Sequence, residues 1–340
     1  MTPERISLVD SAAKSLEERL LIAAIVNDLT DIKARAEYDR WLEARRDWRY
    51  FFTQRLTSAV EQIGHQAKRA WGFPFFPELE SPAWINMLGY RLFHDIQLFP
   101  EFWDLRDIFW RYATPMLDID SESVEIDQIA ITSSRFGGPA SLPADAPWPT
   151  CSQGPLSFVG QIALEEIQLT QAATSLPTNG WLSFFALNDR VGGNRDDQDA
   201  RVLYFPGDTK LDWRESPKDI DITHSLGHPC RLRFTESWDL PDEEDLVVTE
   251  QDRERLKRIK RDHDLDDVRK DWNNGSHLLG YSRHNSTSDP SPASDWRNLL
   301  CLWSDTNLGW NWCDGERLCY FIKETDLRAL RFDRVFGYAS

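Results

Sequence analysis

His224 and His228 stand four residues apart with Cys230 two further on, a dense group of ligand-type side chains. Two imidazoles at that spacing come within reach of one another on a helix, and Gly227 and Pro229 break any helix there. A zinc site also takes a third or fourth ligand, and nothing in the sequence points to one. The three read as ordinary loop residues. Thiol catalysis needs a cysteine beside a histidine, and spacing places none of Cys151, Cys230, Cys301, Cys313 and Cys319 in such a pair. Cys313 and Cys319 flank the turn Asp314-Gly315 and are expected to face each other, or the core, across a hairpin. Gly137-Gly138 after Arg135-Phe136 lack the lysine and helix start of a phosphate loop, and read instead as a tight turn needing positive φ. A G-x-G-x-x-G after a strand, a G-x-S-x-G elbow and an H-E-x-x-H pair are all missing. The sequence therefore offers no catalytic residue, no metal site and no cofactor motif, and the expectation is a protein that is not an enzyme.

The binding candidates are of two kinds. Trp303, Trp310 and Trp312 alternate with Asp305, Asn307, Asn311 and Asp314. Such a cluster suits a peptide or carbohydrate platform, and it equally suits a hairpin packing on a core. The second kind is charge. Against 39 basic residues stand 56 acidic ones, a formal net of −17. Residues 1–120 carry 15 basic and 19 acidic side chains, which leaves 24 and 37 for residues 121–340, a net of −13 there. Two runs concentrate it: Asp196, Asp197 and Asp199 in a loop after Gly192-Gly193, and Asp242, Glu243, Glu244 and Asp245. A negative field disfavours nucleic acid and anionic lipid, whose binding needs clustered Lys and Arg. It attracts a basic protein, and it also simply keeps a chain soluble.

The elements that must position these residues fall into two regions, for an α+β chain. Residues 1–120 read as helical. One helix is expected from Pro3 to about Leu29, and a long one whose apolar stripe is Trp41, Trp48, Phe52, Leu56, Ala59, Ile63 and Ala67. Gly72 to Pro77 cannot continue a helix. Ser81-Pro82 has the form of a helix start, and a last helix runs from Pro100 until Pro115 stops it. This four-helix region is a packing unit or a partner-binding face. From about Ser123 short extended runs alternate with Gly, Pro, Asn and Asp, as in a mainly antiparallel β-rich domain over residues 121–340. Strands are expected at 129–132, 157–162, 181–187, 201–205, 231–235, 299–303 and 318–322. A helix is expected at 250–272, with Thr249 and Asp252 forming a capping-box-like start. No internal sequence repeat is strong enough to assert. No apolar run approaches the ~20 residues that cross a bilayer, and no export signal opens the chain. With five scattered cysteines read as reduced thiols, the expected location is cytoplasmic.

Several short motifs then line up in order. Ser134-Arg135-Phe136-Gly137-Gly138-Pro139-Ala140-Ser141-Leu142-Pro143 precedes Trp148-Pro149, then Leu156 to Ile162 (LSFVGQI) and Leu176 to Phe185 (LPTNGWLSFF). His277 to Tyr281 (HLLGY), Leu299 to Asp305 and Tyr320 to Ile322 follow. This series resembles the YwqG-like family, the DUF1963 domain, over roughly residues 125 to 340. Cys301 stands where many members carry Gln after the paired leucines, a departure that argues against an intact shared small-molecule site. The resemblance implies an immunity protein, since such domains occur among proteins that neutralise interbacterial toxins, including those delivered by type VI secretion in bacterial competition. The partner would be a basic toxin, such as a DNase, with no direct nucleic-acid or membrane binding by this chain. Its contact residues would be Asp196, Asp197, Asp199, Asp242, Glu243, Glu244, Asp245, Asp305, Trp310 and Trp312. The alternative is a small-molecule-binding protein or enzyme using a pocket in the β-domain.

Overall fold

The computed structural model describes residues 15–27, 31–47, 50, 106–187, 199–217, 220, 228–239, 248–262, 275–281, 295–305, 308–315 and 317–339. The chain divides into two compact units, residues 1–113 and 114–340.

Three helices are described in the first unit: α1 (Leu16–Asn27), α2 (Ile32–Ala44) and α3 (Arg106–Tyr112). Asp31 caps α2 by accepting from the backbone N–H groups of Lys33 and Ala34. The two longer helices pack together over Ile22, Ile25, Tyr38 and Leu42. Inside that contact the Tyr38 hydroxyl donates to buried Glu18 at 3.0 Å. The long helix expected to carry Trp41 and Trp48 on one stripe is instead interrupted. α2 stops at Ala44 and the chain turns through Arg46 at φ 49°. The turn is held where Arg45 stacks over Trp41 and pairs with Glu17 at 2.8 Å. The remaining stripe from Phe52 to Ala67 and the helix behind Ser81-Pro82 lie outside the described residues.

The second unit is built on one sheet. Its strands, with those of two small ribbons, are β1 (Thr114–Ser123), β2 (Arg135–Phe136), β3 (Ala140–Leu142), β4 (Thr150–Cys151), β5 (Gly154–Pro155), β6 (Ser157–Ala163) and β7 (Trp181–Ala186). Then come β8 (Ala200–Phe205), β9 (Asp212–Arg214), β10 (Cys230–Asp239), α4 (Glu250–Asp262), β11 (His277–Leu279), β12 (Trp296–Trp303), β13 (Arg317–Lys323), α5 (Glu324–Arg328) and β14 (Phe336–Ala339). Ten strands lie in the order β14-β13-β12-β11-β1-β10-β2-β6-β7-β8, and β14 packs back against β8, so the two ends of the sheet meet. Its ladders are all antiparallel. The ribbons β3-β9 and β4-β5 are separate.

Alternation along a strand sends successive side chains to opposite faces, and here each face is covered. Leu117, Phe136, Phe184, Leu300 and Tyr320 belong to the main core enclosed by the sheet, where Phe184 and Tyr320 meet edge-on. The other face carries smaller apolar clusters, among them one of Ala163, Trp181 and Leu211. A second joins Phe158 and Phe185 to Ala140 and Leu142 of the β3-β9 ribbon. A third holds Cys301, Cys319 and Phe321.

The registers reveal an internal duplication. The central pair β1-β10 is symmetric about Asp120 opposite Arg233, with Asp118 opposite Thr235 on one side and Glu122 opposite Arg231 on the other. Outward from Arg231 run Arg135, Gln161, Ser183 and Leu203 in successive strands. Outward from Asp118 run His277, Cys301, Cys319 and Tyr338. A register shift interrupts both series at the same point, between Phe158 and Gly160 in β6 and between Asn298 and Leu300 in β12. The turns after β2 and β11 also match: Gly137 and Gly138 have φ of 66° and 72°, Leu279 and Gly280 of 65° and 75°.

Two sequence expectations are corrected here. The strand expected at 129–132 is a short helical turn at Ile126–Gln128 followed by loop. β1 lies where Pro115 was read as a stop; Leu117 and Ile119 point to the core while Asp118 and Asp120 alternate with them. Of the two placements open for Cys313 and Cys319, the structure shows the apolar interior: Cys319 is buried and faces Cys301 across the β12-β13 ladder, their Sγ atoms 2.9 Å apart, and Cys313 packs against the main core. The start of α4 agrees with its expected cap, for Thr249 Oγ1 accepts from the Asp252 N–H.

Candidate functional site

The polar part of the sheet is one row on the face away from the main core. Arg135 on β2, Gln161 on β6 and Ser183 on β7 are direct cross-strand neighbours, each 0 % exposed. Directly opposed residues hold their Cβ atoms about 4.5–5.5 Å apart, so the three side chains form one continuous polar strip.

Arg135 dominates it. Both hydrogens of Nη2 are used, on the Pro139 carbonyl at 2.7 Å and the Ser141 hydroxyl at 2.8 Å. Ser141 in turn donates to the Ile131 carbonyl at 3.0 Å. The guanidinium carbon lies 5.1 Å from the Phe158 ring centroid and 4.6 Å from that of Trp213, so aromatic rings cover the group. Nε and Nη1 have no acceptor among the described residues. Burial pulls the guanidinium from its usual 12.5 down to about 9. A desolvated cation–π contact returns about 2 kcal/mol, whereas an ion taken from water costs several kcal/mol unless paired. The cation is therefore under-compensated as it stands.

Gln161 and Ser183 repeat the pattern. The Gln161 amide nitrogen donates to the carbonyls of Ile131 and Ser133 at 3.1 and 3.2 Å. Two carbonyl partners fix the orientation of the amide, since an oxygen there would meet only acceptors. That turns Oε1 the other way, where it has no partner among the described residues, as is also true of the Ser183 hydroxyl. Buried polar atoms are paired in the great majority of cases. Such a run of exceptions on one strip marks it as the candidate site.

The lid over this strip is the β3-β9 ribbon. Trp213, the middle residue of β9, is 41 % exposed although its ring lies on Arg135. Its neighbour Arg214 binds the Pro143, Ala144 and Ala146 carbonyls through Nη1. Gly160 lets the floor close up, because a Cβ there would meet Phe136 Cδ1 at 2.5 Å.

In the matching half His277 replaces Arg135, and Cys301 and Cys319 replace Gln161 and Ser183. The His277 ring nitrogens lie 3.2 and 3.1 Å from the Gly275 and Tyr281 carbonyls, and Asn298 donates to the Leu279 carbonyl at 2.7 Å. This half ties a turn to the sheet and buries two thiols.

The model of the family described as a domain of unknown function, DUF1963, matches residues 134–338, more than half of the chain. The chain belongs to the DUF1963 family. No curated protein matches it. The DUF1963 match begins one residue before Arg135 and spans both halves of the duplication.

The contact residues expected from the sequence are dispersed within this DUF1963 unit. Asp199 is 5 % exposed, and burial first, then the Asp199 carboxylate, raise the pKa of the core hydroxyl of Tyr320. Asp305 is half-buried and bridges by backbone to Trp310. Trp310 and Trp312 are core side chains, 2 % and 1 % exposed, with Trp310 5.0 Å from Phe136. Of the two readings open for this cluster, the structure shows the packing one, so the indoles present no platform. Asp196, Asp197, Asp242, Glu243, Glu244 and Asp245 lie outside the described residues, as do His224 and His284. His228 is exposed. No three His, Cys, Asp or Glu side chains among the described residues are grouped to hold a metal ion, and no helix among them is long and apolar enough to cross a membrane. Arg135, Gln161 and Ser183 went unrecognised as site residues. Their one signal was a polar residue at the alternate position of runs otherwise fully apolar, as in SFVGQIA and WLSFFA.

Proposed function

We propose that this chain is a cytosolic immunity protein that binds a cognate basic toxin, such as a secreted nuclease, and occludes its active or substrate-binding surface. The observation that carries the reading is the charge of the DUF1963 half, 37 acidic against 24 basic residues in 121–340. A nuclease must present positive charge to its phosphate backbone. A protein of opposite sign competes for that surface. Complementary fields also raise association to roughly 10⁸–10⁹ M⁻¹s⁻¹ at low salt, against about 10⁵–10⁶ for neutral pairs, and rapid capture is what protection of a cell requires.

The acidic residues Asp196, Asp197 and Asp242–Asp245 supply the densest charge in this half, and the proposed interface is centred on them, with Asp199 buried beneath the surface. Asp305 adds a further carboxylate to the proposed contact set. With Trp310 and Trp312 in the core, the electrostatic contribution outweighs the aromatic one. The protein works by steric and electrostatic block, without chemistry of its own.

The decisive experiment is capture of partners by the tagged full-length chain from its native cells at moderate salt. A stoichiometric basic protein whose toxicity is suppressed by this chain supports the proposal; capture of none, or of a protein with no toxic activity, sinks it. With the partner in hand, Asp242→Asn, Glu243→Gln, Glu244→Gln and Asp245→Asn together should slow association and flatten its salt dependence. Unchanged kinetics would remove those four residues from the interface.

A further inference from the structure

Arg135 is a buried cation with three unused N–H donors, one on Nε and two on Nη1, and no ion pair among the described residues. Phe158 and Trp213 cover its faces, so the unused donors open only in the plane of the group. The chemistry that satisfies them is an oxyanion. One strand away, Gln161 Oε1 is an acceptor without a donor, and one strand further the Ser183 hydroxyl is unpaired. Adjacent strands lie about 4.8 Å apart, so donors at one end of the strip and acceptors at the other are separated by the length of a molecule of a few heavy atoms.

We propose that Arg135, Gln161 and Ser183 form a binding site for a small carboxylate carrying a hydroxyl or amino group. The carboxylate sits on Arg135, and its neighbouring O–H or N–H donates to Gln161 and Ser183. Access is from the side of Trp213, whose ring both covers Arg135 and reaches solvent. Displacement of the short β9 segment uncovers the strip, and Trp213 closes over the bound acid. The second half of the sheet lacks this site, because His277, Cys301 and Cys319 occupy the equivalent positions and the His277 ring nitrogens already lie on carbonyls.

The test uses the full chain, dialysed against chloride buffer and titrated calorimetrically with glycolate, acetate and inorganic phosphate in turn. Glycolate should bind one to one, more tightly than acetate, with phosphate weaker than both. Arg135→Gln should weaken glycolate by about ten-fold or more, the loss expected for a charge-assisted hydrogen bond. Ser183→Ala keeps the cation and is the control against a folding defect: it should reduce the preference for glycolate over acetate while leaving acetate binding in place. Binding should also change the tryptophan fluorescence of the chain, and Trp213→Phe should remove that change. Absence of saturable carboxylate binding overturns the proposal, as does glycolate binding that survives Arg135→Gln unchanged. Tighter binding of phosphate than of either carboxylate overturns the ligand class.

Discussion

Arg135 and His277 occupy the same position in the two halves of one sheet, each on a two- or three-residue strand flanking the central β1-β10 pair. Each is followed by a residue pair with positive φ, and each faces the strand that carries the matching register shift. The surroundings of the two have diverged. Arg135 opposes Gln161 and keeps unsatisfied donors, whereas His277 opposes Cys301 and has a backbone carbonyl within reach of each ring nitrogen. The duplication thus supplies two equivalent frames, one filled by polar groups with spare valence and one by thiols.

The close turn before β7 depends on Gly180. Its φ is 98°, and a Cβ there would stand 2.2 Å from the Phe205 carbonyl oxygen. Gly154 has a φ of 132° but open space around it. Gly180→Ala should cost about 3 kcal/mol or more, adding overpacking to backbone strain, and Gly154→Ala about 1–2 kcal/mol from strain alone. Urea unfolding of both variants decides this; equal losses would show that the backbone contact at Gly180 carries no weight.

Thiol chemistry should divide the five free cysteines. Cys230, Cys301 and Cys319 are fully buried, while Cys151 and Cys313 are half-buried. Reaction requires an accessible thiolate. An aromatic disulfide reagent should therefore label Cys151 and Cys313 in the native protein and the other three only on unfolding. Early labelling of Cys301 or Cys319, read by mass spectrometry of peptides, would contradict the placement of the β12-β13 pair.

Glu324 at the start of α5 gives a pH signature. Burial alone would raise its pKa, but the hydrogen bonds and charges of Arg297 and Arg328 more than offset this, and its pKa is lowered from 4.5. A carboxylate lowered in the folded state contributes stability that is present above its unfolded pKa and lost as pH falls through the folded one. The two arginines are largely exposed, so the contribution is about 0.5 kcal/mol. Glu324→Gln should be less stable than the natural chain by that amount at neutral pH, with the gap closing below about pH 4.5. A gap that widens in acid would reverse the sign and refute the assignment.

The sequence by itself determined the class of the fold and most of the long strands. Runs such as SFVGQIA and WLSFFA are buried on both sides, and their length with flanking Gly and Pro marks them as strands whatever they pair with. The ordered motifs, short but fixed in sequence, likewise announced the DUF1963 family. Local spacing also revealed the Thr249 cap, because a cap is a contact over three residues. What it did not reveal are the strands β2, β3, β9 and β11, which are two or three residues long and exist only through their partners. Nor did it reveal the duplication, since the two halves share pairing geometry while Arg135, Gln161 and Ser183 align with His277, Cys301 and Cys319. The candidate site belongs to that second group. Burial of Arg135, the fixed amide of Gln161 and the spare hydroxyl of Ser183 come from residues 48 positions apart in the chain that the ladder brings side by side. Likewise the tryptophans Trp310 and Trp312 had two open readings in sequence, and only the closure of the sheet around Phe136 sent them inward. Local spacing carries periodicity and turns; which polar group is buried without a partner is decided by strands far apart in the chain, and tertiary structure alone determines it.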